Sequence, residues 1–240
     1  MKLFLQFIFL SIIIHASEKL QAQTLEFVEN KGQWDSRVKF MGDMGGSVFY
    51  LQQQGYKVVL HNKEDLEAVS AAYSGHSHGK DGKVLAKNSS EPVAPVTLHS
   101  FAYEVSFEES SQNAVVVPEK IISTVNNYFY GSDAKKWAGG CKLYQAVVYK
   151  NIYKGIDARY YTDDNNLKYD LIVHPGADIS KIALRFRGVD GLSLKNGNLV
   201  VKTSLGEVSE LKPYCYQSSM TGKTSIAARY SIKDNVVRFK

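Results

Sequence analysis

The chain has 240 residues, of which 44% are hydrophobic and 22% charged, and its formal net charge is +5. This composition is ordinary for a folded protein, and the length suits one large all-β domain or two small ones. The basic residues are interspersed with acidic ones and form no basic run, which excludes a typical nucleic-acid-binding or anionic-lipid-binding protein. We therefore expect no nucleic acid among the partners.

The first 22 residues have the organisation of an export signal. Lys2 precedes an apolar run from Leu3 to Ile14, and Leu20-Gln21-Ala22 ends in a small residue where a signal peptidase would cut. The apolar run is too short to span a bilayer comfortably, so no transmembrane span is expected after its removal. The sequence predicts an exported protein, extracellular or on the outer cell surface, with the periplasm and a retained membrane anchor as alternatives.

Cys141 and Cys215 are the two cysteines of the chain. In an oxidising compartment they could form one disulfide, which would close a long loop and stabilise the fold by about 4 kcal/mol. That pairing requires the strand after Cys141 and the strand containing Cys215 to be neighbours. Two unpaired, partly buried thiols are the alternative, and two isolated cysteines are not expected to make a metal site.

Short strands dominate the mature sequence. Strands at 25–28, 38–41, 47–51 and 56–60 precede one amphipathic helix, Lys63–Ala72, with acidic residues near its N-terminus. Residues 74–96 are rich in Gly, Ser, His, Lys and Pro, which indicates a mobile loop or linker. Strands follow at 97–107 and 115–117, before a short turn or helix that carries Trp137.

The clearest strand pattern lies between Gly155 and Gln217. Apolar and polar side chains alternate on both sides of Asp163-Asp164-Asn165-Asn166, which predicts a β-hairpin with one buried face. Asn196-Gly197 separates two further apolar runs and supplies the positive φ angles of a two-residue hairpin turn. The alternation is still running at Lys240, which predicts a truncated C-terminal end.

These patterns predict an all-β fold with one short helix. The expected architecture is an antiparallel β-sandwich, with two β subdomains as a variant and a partly open barrel as the second choice. The predicted organisation is a signal peptide at 1–22, an N-terminal β part with the helix at 23–73, the loop or linker at 74–96, and the main β-sandwich part at 97–240.

Five segments carry the most distinctive motifs of the chain. They are Phe27–Trp34, Asn127–Gly131, Val148–Asp157, Tyr169–Asp178 and Leu205–Tyr214. Together they resemble an uncharacterised β-rich domain at the N-terminus of large exported bacterial proteins, which often carry seven-bladed-propeller-type repeats and a gliding-motility or type IX secretion sorting domain. The resemblance implies an extracellular or outer-surface location and supplies no catalytic residues. The two cysteines do not belong to the family's pattern.

Several polar motifs could carry chemistry, but each has a simpler explanation. Gly75-His76-Ser77-His78-Gly79 matches the turn that exposes a nucleophilic serine, yet no strand precedes it and no helix follows. His76 and His78 could bind a divalent metal weakly, with Asp81 as a third ligand. Asp163–Asn166 offers oxygens that suit calcium, but it lacks the spacing of a helix–loop–helix site and favours a tight turn. We predict no metal and no cofactor.

Asp157, Asp170 and Asp178 could suggest the acid pair of a glycoside hydrolase. Such a pair needs two acids across a cleft, one of them held protonated by its environment. We expect these acids to be solvated or paired with Arg159, and we predict no catalytic residue.

Trp34, Trp137 and Tyr161 are candidates for an exposed aromatic surface that stacks on sugars, with core packing as the alternative. No convergent polar site accompanies them. The sequence therefore predicts a non-enzymatic structural or interaction module of a cell-surface or secreted protein, whose partners would be other surface proteins or glycans. The alternatives are a carbohydrate-binding module and then a hydrolase.

Overall fold

The computed structural model describes residues 4–13, 26–73, 76–78, 84–86, 95–163 and 166–240, with the backbone alone at 4–13, 73, 76–78 and 84–86. These residues form twenty β-strands, one α-helix and two 3-10 turns, at Ala134–Lys136 and Ile179–Lys181. Each strand pair is antiparallel. The all-β class with one helix that the sequence predicts is confirmed.

The first ten strands precede residue 154. They are β1 (Phe4–Ile13), β2 (Phe27–Glu29), β3 (Val38–Asp43), β4 (Ser47–Gln52), β5 (Gly55–His61), β6 (His76–His78), β7 (Val84–Ala86), β8 (Ser100–Phe107), β9 (Val115–Tyr128) and β10 (Ala138–Tyr153). The other ten are β11 (Ile156–Asp163), β12 (Asn166–Val173), β13 (Ala183–Arg187), β14 (Gly191–Lys195), β15 (Asn198–Thr203), β16 (Gly206–Glu210), β17 (Tyr214–Ser219), β18 (Gly222–Ile226), β19 (Tyr230–Lys233) and β20 (Val236–Phe239).

The helix α1 spans Lys63–Tyr73, one residue longer than predicted. Asn62 caps it, because its side-chain oxygen accepts a hydrogen bond from the backbone N–H of Asp65 at 3.0 Å. Glu64 and Asp65 place two carboxylates at the positive end of the helix dipole.

The strands form two layers joined where β2 pairs with β10. The front layer has the order β2-β3-β4-β5-β8-β13-β20-β19. The back layer has the order β9-β10-β11-β12-β1-β17-β18, and β14, β15 and β16 join it where β16 pairs with β1. The described strands form no closed barrel, so the architecture is the β-sandwich that the sequence favours.

Aromatic rings fill the space between the layers. Tyr160 on β11 is fully buried, and its ring centroid lies 5.8 Å from that of Phe49 and 6.0 Å from that of Tyr56, both in the front layer. Within the back layer the same ring lies 5.8 Å from Tyr149 and 5.8 Å from Tyr169. Inward-facing side chains of both layers therefore share one core, as the period of two on β11 and β12 predicts.

One hydrophobic core contains residues of both predicted β parts, 23–73 and 97–240. One hydrophobic cluster runs from Phe27 on β2 to Val237 on β20, and β5 pairs directly with β8. Of the predicted loop at 74–96, the structure describes the backbone of β6 and β7, which pair with each other, and residues 95–96. Of the predicted signal peptide it describes only the backbone of β1, so residues 1–3 and 14–22 lie outside the described part.

Both predicted hairpin turns are present. Asp163 pairs with Asn166 at the end of the β11–β12 hairpin, although residues 164–165 lie outside the described part. Asn196 and Gly197 have φ angles of 55° and 84°, which are the left-handed values that a tight Asn-Gly turn requires.

β9 is much longer than the strand predicted at 115–117, since it spans 14 residues. The sequence hides this length because Pro118 interrupts the run and Lys120 adopts a positive φ of 56°. A register shift against β10 follows, between Val125 and Ile121. A β-bulge of this kind breaks the period that identifies a strand.

Replacement of Gly55 tests the packing of β5 against β8. A Cβ on Gly55 would lie 2.0 Å from the carbonyl oxygen of Val105, so we expect Gly55→Ala to lower the free energy of unfolding by about 3 kcal/mol. Gly46→Ala is the matched control, because a Cβ there meets no atom within 4 Å. Denaturant unfolding measures both variants, and equal stability of the two would contradict the described pairing.

Candidate functional site

An edge strand exposes the most prominent apolar surface of the described chain. Among the residues that the structure describes, β9 pairs only with β10, which leaves its other edge open. Five apolar residues are between 37% and 66% exposed: Val115, Val117, Ile121 and Val125 on β9, and Phe129 directly after its end. We call these five residues the β9 stripe. Open edges and contiguous apolar patches mark interaction sites in folded proteins.

Two features restrict which part of the β9 edge can accept another strand. Pro118 has no backbone N–H, and the register of β9 against β10 shifts at a bulge between Ile121 and Val125. Both are devices that proteins use against edge-to-edge aggregation. The register of β9 against β10 is regular from Val115 to Ile121, and Pro118 lies within that regular part, so no long regular stretch of the open edge can accept another strand.

Exposed aromatic side chains continue the stripe beyond β9. Trp137 is 45% exposed, and its indole N–H donates a hydrogen bond to the carbonyl oxygen of Gly131 at 3.1 Å. Its ring centroid lies 5.5 Å from that of Phe129, with the two planes at 88°. Tyr130 is exposed next to them and contacts the ring of Tyr128. Phe129, Tyr130 and Trp137, which we call the aromatic corner, thus lie within one β9–β10 connection.

The Trp34 ring packs against other side chains of the fold. Its ring is half-buried and makes edge contacts with Tyr128 and Tyr50, at centroid distances of 5.2 and 6.4 Å. The loop that carries it is organised by Asn30, whose side-chain oxygen accepts hydrogen bonds from the backbone N–H groups of Gly32 and Trp34. Trp34 packs against a small satellite cluster that contains buried Cys141.

Tyr161 lies on the outer face of the back layer, away from the aromatic corner. The Arg159 guanidinium covers its ring at 4.8 Å, and its hydroxyl donates a hydrogen bond to Asp170 at 3.2 Å. Arg159 in turn donates to Glu119 at 2.9 Å. The structure therefore does not combine Trp34, Trp137 and Tyr161 into one platform, because only Trp137 presents an open ring.

Asp170 is a carboxyl on this outer face whose pKa is shifted from its ordinary value. Its burial raises its pKa to about 6, although the Tyr161 hydroxyl and nearby cations act in the opposite direction. Its Oδ1 accepts the hydrogen bond from Tyr161, and the other described groups that act on it are the cations Arg159, Lys168 and Lys223. Asp170 is thus part of a polar network on a sheet surface, which differs from a hydrolytic acid pair.

Asp157 is buried and holds the β10–β11 turn. It accepts hydrogen bonds from the backbone N–H of Asn151 at 2.7 Å, from Lys150 at 3.0 Å and from His174 at 3.1 Å. Burial alone would raise its pKa, but these three hydrogen bonds outweigh the burial and lower the pKa. Asn151 has a φ of 53°, so the carboxylate stabilises a turn that is strained for a non-glycine residue. Asp178, the third candidate acid, caps the turn at Ile179–Lys181.

The two cysteines are buried thiols in separate places. Cys141 belongs to the satellite cluster near Trp34, whereas Cys215 belongs to the main core. β10, which contains Cys141, pairs with β2, β9 and β11, and β17 pairs with β1 and β18. The strands are therefore not neighbours, and the structure contains the thiol alternative rather than the disulfide.

Within the described residues, the remaining motifs give no site. The side chains of Gly75–Gly79 lie outside the described residues, as does Asp81. In the described part of the chain, no group of three or more His, Cys, Asp and Glu side chains could hold a metal ion. A surface depression of about 350 Å³ near Glu108 and Arg187 is polar, and Glu108 is already ion-paired with Arg185.

Glu210 is a buried carboxyl that the sequence analysis overlooked. It is 1% exposed, its Oε1 accepts a hydrogen bond from the Tyr56 hydroxyl at 3.5 Å, and its Oε2 has no partner among the described residues. Five tyrosines face it from β5, β8, β11, β12 and β19, namely Tyr56, Tyr103, Tyr160, Tyr169 and Tyr230. Burial raises the pKa of Glu210 to about 8, so the carboxyl is neutral at pH 7.

Replacement of Asp157 tests its structural role. Asp157→Ala leaves Lys150, His174 and the Asn151 N–H without their common acceptor, so we expect the free energy of unfolding to fall by about 3 kcal/mol. Asp178→Ala is the control, because Asp178 is exposed and should lose much less. Stability of the Asp157 variant equal to that of the original chain would contradict this role.

The pH dependence of stability tests the burial of Glu210. Its folded pKa lies above its ordinary value of 4.5, so its contribution is greatest below pH 4.5 and is lost as the pH rises to about 8. We expect the unfolding equilibrium constant of the full chain to rise about tenfold per pH unit between pH 5 and 8. Glu210→Gln should remove most of this dependence in denaturant titrations, and an unchanged slope would show that Glu210 is not buried.

Comparison with protein families identifies an uncharacterised family. The family described as "Domain of unknown function (DUF7948)" matches residues 27–240, which include the whole described sandwich from β2 to β20. No curated protein and no solved structure matches the chain. In the described residues, no helix has the length and hydropathy needed to cross a membrane. The chain therefore belongs to the DUF7948 family, whose function is unknown.

Proposed function

We propose that the chain is a non-enzymatic interaction module of an exported bacterial protein and that the β9 stripe is its contact surface. The stripe carries the proposal, because it exposes four apolar side chains on the open edge strand and a fifth, Phe129, directly after it. A rigid sandwich can hold such a surface in place without a hinge or a deep pocket. Association would remove this apolar surface from water, which is the main favourable contribution to protein–protein binding.

The charges around the stripe indicate the chemistry of the partner. Lys120, Lys135, Lys136 and Lys142 are exposed on β9, in the β9–β10 connection and on β10. The nearby Glu119 is neutralised by Arg159 at 2.9 Å. Asp133, an exposed acid in the same connection, offsets one of the four lysine charges. The rim is therefore net basic, and the matching surface is that of a protein with an apolar centre and an acidic rim.

The sequence supports the proposed location of the protein outside the cell. The export signal at 1–22 and the resemblance to N-terminal domains of exported surface proteins both support an extracellular or outer-surface module. The resemblance also supports an association with gliding motility and type IX secretion, in proteins that carry propeller-type repeats and a sorting domain.

A glycan-binding module is the second candidate, and the aromatic corner favours it. Phe129, Tyr130 and Trp137 are exposed rings in one connection. The planes of Phe129 and Trp137 lie at 88°, so they do not form the flat platform on which a sugar ring stacks, and we rank this function second. A hydrolase ranks third, since Asp157 and Asp178 are engaged in turn and capping contacts.

Site-specific photo-crosslinking tests the contact surface. A benzophenone amino acid at Ile121 or Val125 should give one discrete adduct with an acidic surface protein in the exporting cells. The same probe at Met220, which is fully exposed on the β17–β18 turn, is the control and should give none. The adduct should also be lost when Val117→Lys is added to the Ile121 probe.

Two results would contradict the proposal. Equal labelling at Met220 and Ile121 would show that the stripe has no specific partner. Reproducible binding to a glycan array that is lost in Trp137→Ala but not in Ile121→Lys would establish the second candidate instead.

A further inference from the structure

The backbone of β1 lies between two strands that do not pair with each other. On one side Phe7 pairs with Leu171 and Leu10 with Tyr169, both on β12. On the other side β1 pairs with β17 from Phe4 to Phe9 and with β16 at Ile12 and Ile13. β1 therefore completes the back layer, and we call the position that it occupies the strand slot.

The whole of β1 lies within the proposed export signal. Cleavage after Ala22 would remove residues 1–22 and with them every hydrogen bond between β1 and its neighbours. Backbone N–H and C=O groups along β12, β16 and β17 would then lose their partners in the middle of a sheet. Such groups are nearly always paired in folded proteins.

The walls of the strand slot belong to the protein core. Leu167, Tyr169 and Leu171 on β12 are at most 1% exposed, and Glu210 on β16 is equally buried. Removal of a strand between these walls would expose apolar side chains as well as backbone. The mature chain therefore needs another strand in this position, or it must rearrange the back layer.

The sequence of β1 shows which kind of segment fits the strand slot. Its ten residues, Phe4–Ile13, are apolar except for Gln6 and Ser11, and contain no charge and no proline. β1 is hydrogen-bonded along both edges, so a replacement must be a strand that has both edges unpaired. A second copy of the fold does not supply one, because its exposed strand β9 is already paired with its own β10.

We propose that the strand slot between β12 and β17 binds an extended apolar segment of a partner polypeptide, which replaces β1 after the export signal is removed. This mode of recognition adds a strand to a sheet through main-chain hydrogen bonds, with alternate side chains entering the core. The proposal rests on the exported state of the proposed function, but it concerns a site separate from the β9 stripe.

Hydrogen exchange with chains of defined ends tests the strand slot. The chain 1–240 is produced without exposure to signal peptidase and is compared with the chain 23–240. The probe is a synthetic peptide with the sequence of Phe4–Ile13 and solubilising lysines at both ends. The control peptide has proline at the positions of Phe7 and Leu10, which removes two backbone donors.

We expect the amides of β12 and β17 to exchange about 100-fold faster in 23–240 than in 1–240. The probe peptide, present during refolding of 23–240, should restore the slow exchange, whereas the proline peptide should not. The chain 1–240 should not bind the probe, since its own β1 fills the strand slot.

The following results would overturn the proposal. Slow exchange of β12 and β17 in 23–240 alone would show that the two strands close on each other. A chain 23–240 that does not take up the peptide, whether folded or unfolded, would show that the strand slot accepts a strand only from its own N-terminus.

Two further measurements separate this proposal from the proposed function. Ile121→Lys in 23–240 should leave peptide binding unchanged, because the β9 stripe is not part of the strand slot. Mass spectrometry of the exported protein reports whether residues 1–22 are removed in the cell. An exported chain that still begins at Met1 would show that residues 1–22 are retained and that the strand slot stays filled by β1, which would overturn the strand-slot proposal but not the proposed contact surface on β9.

Discussion

The contact of Tyr160 with rings from both layers is the interaction on which the rest of the structure depends. Its ring meets Phe49 and Tyr56 in front, and Tyr149 and Tyr169 beside it. The hydroxyls of Tyr149, Tyr160 and Tyr169 have no partner among the described residues, which costs about 1–3 kcal/mol each. Each ring buries roughly 150–250 Å², worth about 4–6 kcal/mol, so the ring burial prevails.

Because side chains fill the interior, a partner can be recognised only elsewhere on the protein. Inward positions are occupied by packed side chains, so the outer faces, the strand edges and the position of β1 remain for recognition. Asp157, Arg159 and Tyr161 are engaged on the outer face, whereas Ile121 and Val125 are not covered. We therefore assign recognition to strand edges rather than to a pocket, both on β9 and in the strand slot.

Short sequence patterns predict those strands, turns and helices whose formation depends on neighbouring residues in the chain. The β11–β12 hairpin and the Asn196-Gly197 turn follow from alternation and turn residues, and the helix follows from its amphipathic pattern and the acidic residues of its first turn. β9 is mostly absent from the sequence-based prediction because Pro118 and the bulge between Ile121 and Val125 break its period, and because several of its apolar residues are exposed. The grouping of Trp34, Trp137 and Tyr161 was not predictable, since each ring's environment is made by residues distant in sequence.

Glu210 shows a signal that sequence reasoning could have used. It follows Val208 by two positions on one strand, so an inward-facing Val208 places Glu210 inward as well. The burial of a carboxyl among tyrosines depends on five other strands, and no local pattern contains that information.

Calorimetric unfolding of the full chain tests the shared core most directly. If Tyr160 joins both layers into one cooperative unit, the scan will show one transition whose calorimetric and van't Hoff enthalpies agree. Two separate transitions, or a van't Hoff enthalpy well below the calorimetric one, would show that the layers unfold independently and would contradict this account.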